Sequence, residues 1–138
     1  MIKVKGNLLV FDKPDIDNRV FPKHCKVTIP GEIPIIAMGG DPFDSSVRIG
    51  VINSTKRNDQ GITIEGYING RDEEIYATVI KDPGLYFGGF YRIGDRHTTA
   101  DGMKVFESLD LRSVGVYAAD PYGREKCLKI EIVEDDHD

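Results

Sequence analysis

Nucleophilic catalysis needs a hydroxyl or thiol within reach of a base, so the histidines, serines and cysteines come first. The histidines are His24, His97 and His137, all in polar surroundings. The serines are Ser45, Ser46, Ser54, Ser108 and Ser113, and none stands in a Gly-x-Ser-x-Gly elbow. Ser108 and His97 could be paired through space, but so could any loop histidine and strand serine, so the pairing assigns no site. Cys25 and Cys127 form no Cys-x-x-Cys clip and read as two buried thiols of a reducing compartment. Asp15-x-Asp17 opens like a calcium loop. Val20 stands where that loop needs glycine and Lys26 where it needs a bidentate glutamate, so a solvated turn is expected. Asp135-Asp136-His137-Asp138 reads as a solubilising tail. Gly39-Gly40 and Gly88-Gly89 lack the lysine and the strand–loop–helix setting of a phosphate cradle. No catalytic residue, no metal ligand and no cofactor site is therefore assigned.

The stretch that stands out is Leu85-Tyr86-Phe87-Gly88-Gly89-Phe90-Tyr91, with Tyr117 and Tyr122 further on. Aromatic rings are costly to leave in water. One reading is a core strand with a bulge at the double glycine. The other is a contact surface, because aromatics concentrate at interface centres. On the second reading the partner contacts are Tyr86, Phe87, Phe90, Tyr91, Tyr117 and Tyr122.

These side chains must be held by strands. Residues 2–11 alternate, with Ile2, Val4, Gly6, Leu8 and Val10 on one face and Lys3, Lys5 and Asn7 on the other. Leu9 and Phe11 break the polar face, so that end is expected to be covered on both sides. Asp12–Arg19 reads as a polar turn. Ile33–Ala37 reads as a short strand, with Pro34 confined to its start or to an edge. Arg48–Ser54 and Gly61–Asn69 flank Thr55–Gln60 in a hairpin pattern. Arg71–Lys81 is the one helix candidate, capped by Asp72 and ended by Pro83-Gly84. Leu85–Ile93, Met103–Asp110, Ser113–Tyr117 and Lys126–Val133 complete the strands, with Asp95–Gly102 as a loop. Turn signals every 10–12 residues or so point to a mainly β fold: a compact, closed or nearly closed barrel of about seven strands with one or two short helices. Residues 1–133 form the domain and 134–138 an acidic tail.

Composition narrows the partners. Net charge is -5, with 18 Lys+Arg against 23 Asp+Glu, and the excess acid lies in the second half. Duplex binding needs a net basic footprint, so nucleic acid is not expected. The start of the chain carries no apolar signal segment, and the run Ile33–Met38 is far short of the ~20 residues of a spanning helix. No membrane partner is expected.

Read in order, several pieces resemble the prohead proteases of tailed phages, a family that shares its fold with the herpesvirus assemblins. Lys5-Gly6-Asn7, Phe11-Asp12 and Asn18-Arg19-Val20-Phe21-Pro22-Lys23 are similar to the family's opening strand and its Asn-Gly-Arg-Val-Tyr-Pro-like segment. Ile33-Pro34-Ile35 resembles its Val-Pro-Val strand, Arg48-Ile49-Gly50-Val51 its Ile-Gly strand, and Asp59-Gln60-Gly61-Ile62 its Asp-x-Gly-Leu turn. Leu109–Val116 with Ala119-Asp120-Pro121 is similar to its closing strand. The family's catalytic histidine would fall within Ala37-Met38-Gly39-Gly40-Asp41. Its serine would fall within Leu85-Tyr86-Phe87-Gly88, at Tyr86. Neither residue type is there. The resemblance thus implies a protease-like barrel without its chemistry. It also implies a non-enzymatic decoration or cement protein of the virion, bound to the major capsid protein and able to self-associate. An active protease with a His97-based site and a small cytoplasmic binding domain are the alternatives.

Overall fold

The computed structural model describes residues 1–37, 47–69, 80, 85–117, 122 and 130–133. Of these, 66% lie in strands and almost none in helix. The expected helix at 71–81 lies outside the described residues except for Ile80, which is buried. Cys127, the first half of the expected strand at 126–133 and the acidic tail also lie outside them.

Isoleucine and valine runs build the sheet because branched side chains pack well on a pleated surface. β1 (Ile2–Val10) pairs antiparallel with β6 (Gly61–Ile68), and β6 with β5 (Val47–Arg57). Asn58 closes the β5–β6 hairpin: its side-chain oxygen accepts the N–H groups of Gln60 (2.8 Å) and Gly61 (3.1 Å). β6 alternates as its sequence predicts, with Ile62, Ile64 and Ile68 buried. In β1 the alternation is interrupted. A register shift at Leu8 sets Leu9, rather than Leu8, opposite Ile62, so Leu8 and Leu9 are both buried. The covered far end expected from Leu9 and Phe11 is produced by this bulge.

β4 (Ile33–Ala37) joins β5 antiparallel and β10 (Ser108–Tyr117) parallel. Pro34 pairs only toward β5, while pairing to β10 begins at Ile35, so its missing N–H interrupts no ladder. β3 (Lys26–Thr28) lies parallel to the first part of β10, and β7 (Tyr86–Ile93) runs antiparallel along nearly all of it. β10 is therefore one long strand where the sequence suggests two. Its bulge at Arg112 absorbs the break. A second sheet joins β2 (Arg19–Val20), β9 (Lys104–Phe106) and β8 (Arg96–Thr98), the last within the expected loop. Arg57 ties β5 to the turn before β3. Its guanidinium lies 4.7 Å from the Phe11 ring and donates to the carbonyls of Lys23 (2.8 Å) and Cys25 (2.6 Å).

In place of the expected closed or nearly closed barrel there is one eight-stranded mixed sheet and a small one. The large sheet runs from β11 (Glu131–Val133) through β1, β6, β5 and β4 to β10, with β7 beyond it, and neither sheet closes. β11 spans three residues and covers only Lys3–Lys5 of β1. Further along, the Val10 N–H donates to the Tyr122 hydroxyl at 3.0 Å. β7 meets β1 through side chains, the Phe87 ring filling the space a Cβ on Gly6 would need. One backbone bond, from Ile130 N–H to the Leu85 carbonyl (2.8 Å), links the segments just before the two end strands. The core lies on the inward face of the sheet, where burying each Ile, Leu or Phe contributes about 1.5–3 kcal/mol.

Candidate partner-binding surface

The aromatic stretch becomes β7, and pairing with β10 sorts its side chains. Phe87 lies opposite Val116, Gly89 opposite Val114 and Tyr91 opposite Leu111. Val114, Val116, Leu111 and Phe87 are all buried, so this is the inward set. Tyr86 lies opposite Tyr117, Gly88 opposite Gly115 and Phe90 opposite Ser113, which places Tyr86, Phe90 and Tyr117 together on the outward face.

Glycines set the height of that surface. The Phe90 and Tyr117 rings form a tilted pair with centroids 6.2 Å apart. A Cβ on Gly115 would stand 2.9 Å from both rings, and one on Gly88 would stand 2.6 Å from the Tyr117 ring. The rings therefore lie flat against bare backbone. Gly88 and Gly89 are paired in regular register, so the bulge expected at the double glycine sits instead across the ladder, at Arg112. Phe90 is 36% exposed, and Ile93 further along β7 is 43% exposed. Burial raises the Tyr117 phenol above its ordinary pKa, with the Arg19 charge acting the other way.

The six expected contact residues thus divide. Tyr86, Phe90 and Tyr117 share one surface. Phe87 and Tyr122 are 2% and 6% exposed and belong to the interior, because β7 alternates and Tyr122 covers β1. Tyr91 points inward, and its hydroxyl is buried. Burial pushes its phenol well above the ordinary range, and the neighbouring Tyr122 acts in the same direction.

Two clusters have partners that are not identified from the sequence. His24 Nε2 lies 2.6 Å from one oxygen of Glu107, and His97 Nδ1 lies 3.5 Å from the other. Eighty-three positions separate His24 from Glu107, so only the fold brings them together. Ser108, paired in the sequence reading with His97, instead accepts the Asp95 N–H on its hydroxyl at 2.8 Å. Among the described residues neither histidine hydrogen-bonds to a serine, threonine or cysteine. Asp15, expected in a solvated turn, is buried: one carboxylate oxygen accepts the N–H groups of Asp17 and Arg19, and the other accepts Arg19 Nε at 2.8 Å. The residue that suggested a calcium loop thus organises its own turn. Cys25 is a buried free thiol. Burial raises its pKa, opposed by the charge of Arg57 and reinforced by that of Glu107.

Among the described residues no group of three His, Cys, Asp or Glu is placed to hold a metal ion, and no helix is long and apolar enough to cross a membrane. No protein-family model, no curated protein and no solved structure matches the chain.

Proposed function

We propose that this chain is a non-enzymatic capsid accessory protein, a decoration or cement subunit that binds the major capsid protein of a tailed phage. The observation that carries the reading is the outward face of β7 and β10. There Tyr86, Phe90 and Tyr117 form a shared aromatic surface on a glycine floor. Rigid rings with few rotatable bonds bind at low entropic cost, and such residues dominate the energetics of protein interfaces. The resemblance to prohead proteases supplies the capsid setting, and the open mixed sheet is taken as a loosened form of their barrel. Tyr86 occupies the position of the family's serine and serves here as a contact residue.

The test mixes purified protein with mature shells that lack it and separates bound from free by sedimentation. Saturable binding at many copies per shell, with shell proteins intact, is the expected result. Absence of binding sinks the reading. The protease reading has one observation in its favour, the His24–Glu107 pair, which is the base-and-orienter half of a triad. Cleavage of capsid or scaffold chains that His24→Ala or His97→Ala abolishes would establish it instead.

A further inference from the structure

The turn between β1 and β2 presents one large apolar side chain to water: Ile16 is 64% exposed. Its support is closely held. The buried Asp15 carboxylate accepts the N–H groups of Asp17 and Arg19, both at 2.9 Å, and Arg19 Nε at 2.8 Å. The Asp15 N–H donates to the Arg19 carbonyl (2.9 Å) and the Asn18 N–H to the Asp15 carbonyl (3.1 Å). Asn18 completes the turn with a left-handed φ of 58°. An isoleucine on a turn fixed in this way loses little conformational freedom when a partner buries it.

A receptor for such a side chain lies beside the turn. The small sheet and β7 enclose a half-open cavity of about 190 Å³, walled by Phe21, Phe106, Leu109 and Ile93 with Arg19 at its side. Ile93 is 43% exposed and stands at the mouth. An apolar space of about 150 Å³ holds a benzene ring, which is larger than the side chain of isoleucine. Arg19 belongs both to the turn and to the cavity lining, so plug and cavity are neighbours on one molecule. Their charges are complementary as well. Asp17, next to Ile16, is exposed. Arg96 on β8 lies opposite Phe106, which puts it on the cavity's face, and it is exposed with no ion pair among the described residues.

From these features we infer that two copies of this chain form a symmetric dimer in which Ile16 of each enters the cavity of the other. Neighbouring plug and cavity suit a two-fold axis, because one encounter then fills both cavities and leaves no plug free to add a third copy. Asp17 of one copy then approaches Arg96 of the other. The dimer does not rest on the capsid reading. Phe90 lines the cavity and also belongs to the aromatic face, so the dimer is tested through residues outside that face.

Sedimentation velocity over roughly 10–500 µM, the range of a small interface, reads the state of the purified chain. The mass is expected to rise to twice that of the chain and to stop there. Ile16→Asp, at an exposed position, weakens the dimer by ~100-fold, about tenfold for each of its two plugs, with the melting temperature in dilute solution unchanged. Asp17→Lys and Arg96→Glu each weaken it about fivefold, and the two together in one chain restore it. A chain that stays monomeric overturns the proposal and leaves the cavity to a side chain of another protein. A mass that rises past two copies, association that survives Ile16→Asp, or single charge reversals that the double variant does not repair also overturn it. Ile16→Asp keeps the aromatic face intact, so shell binding by this variant separates the fate of the capsid reading from that of the dimer.

Discussion

On the outward face of β1 and β6, Lys5 lies opposite Glu65 and Asn7 opposite Thr63. Lys3 lies 3.8 Å from Glu65, and Lys5 lies 3.6 Å from Glu131. On the outward face of β7 and β10, the paired positions hold Tyr86 with Tyr117, Gly88 with Gly115, and Phe90 with Ser113. The first region has what an antiparallel sheet needs to face water: charged and polar side chains opposite one another, with the apolar set turned inward. The second turns apolar side chains to both faces, and glycines beneath the rings keep the outer set low and flat. The difference separates a face of paired polar side chains from one that, among the described residues, leaves aromatic rings partly exposed.

The comparison is most directly broken through its glycines. On the inward side of the same strands, opposite Val4, a Cβ on Gly66 would stand 2.0 Å from the Val51 carbonyl oxygen, a backbone atom that cannot swing aside. Gly66→Ala is expected to lose about 3 kcal/mol of stability, read from the urea midpoint at constant slope. Next in size is the loss of shell binding in Tyr86→Ser/Phe90→Ser/Tyr117→Ser. Two or three ring anchors at about 1–2 kcal/mol each give a weakening of ~100-fold by quantitative sedimentation, with the circular dichroism spectrum unchanged. Gly115→Ala meets only the ends of the Phe90 and Tyr117 rings, which can rotate outward. It is expected to destabilise by about 1 kcal/mol and to weaken shell binding, so the two glycine variants separate a backbone obstacle from a side-chain one.

The interior behind the aromatic face adds a pH dependence. Cys25 and Tyr91 both have raised pKa values in the folded chain, so both stay neutral there while the unfolded chain releases their protons near 9.0 and 10.0. Their contribution is complete below those values and declines as pH rises toward the folded ones. Urea midpoints should fall between pH 9 and 11, and less steeply in Tyr91→Phe; parallel slopes would refute this. The smallest effect is expected in the polar region. Glu65→Gln breaks the half-exposed pair with Lys3 and should move stability by less than about 0.5 kcal/mol, within thermal-melt error.

Much of the framework is legible in the residues. The alternation at Ile62, Ile64 and Ile68 sets β6, Asn58 and Gly61 set its hairpin, and Pro34 falls where only one ladder runs. Three strand details are not legible. β8 lies in a polar segment, Arg96-His97-Thr98, without the apolar alternation that marks a strand, the bulge at Leu8 transfers Leu9 to the inner set, and β10 continues through Arg112. A bulge inverts the alternation after it, and its position depends on the opposing strand.

The candidate surface shows the same division. Composition and period determine that residues 85–91 form an aromatic strand, because such a run packs on a pleated sheet. Where every second and every first position are alike apolar, the period cannot say which set is buried. That choice belongs to β10, whose Val114 and Val116 face the core and draw Phe87 inward with them, leaving Tyr86 and Phe90 outside. Tertiary structure likewise brings Glu107 between His24 and His97, leaves the sheet open at β7 and buries the Tyr91 hydroxyl with no hydrogen-bond partner among the described residues. Local spacing fixes which residues can form a strand. Contacts between residues tens of positions apart fix which of its faces meets water.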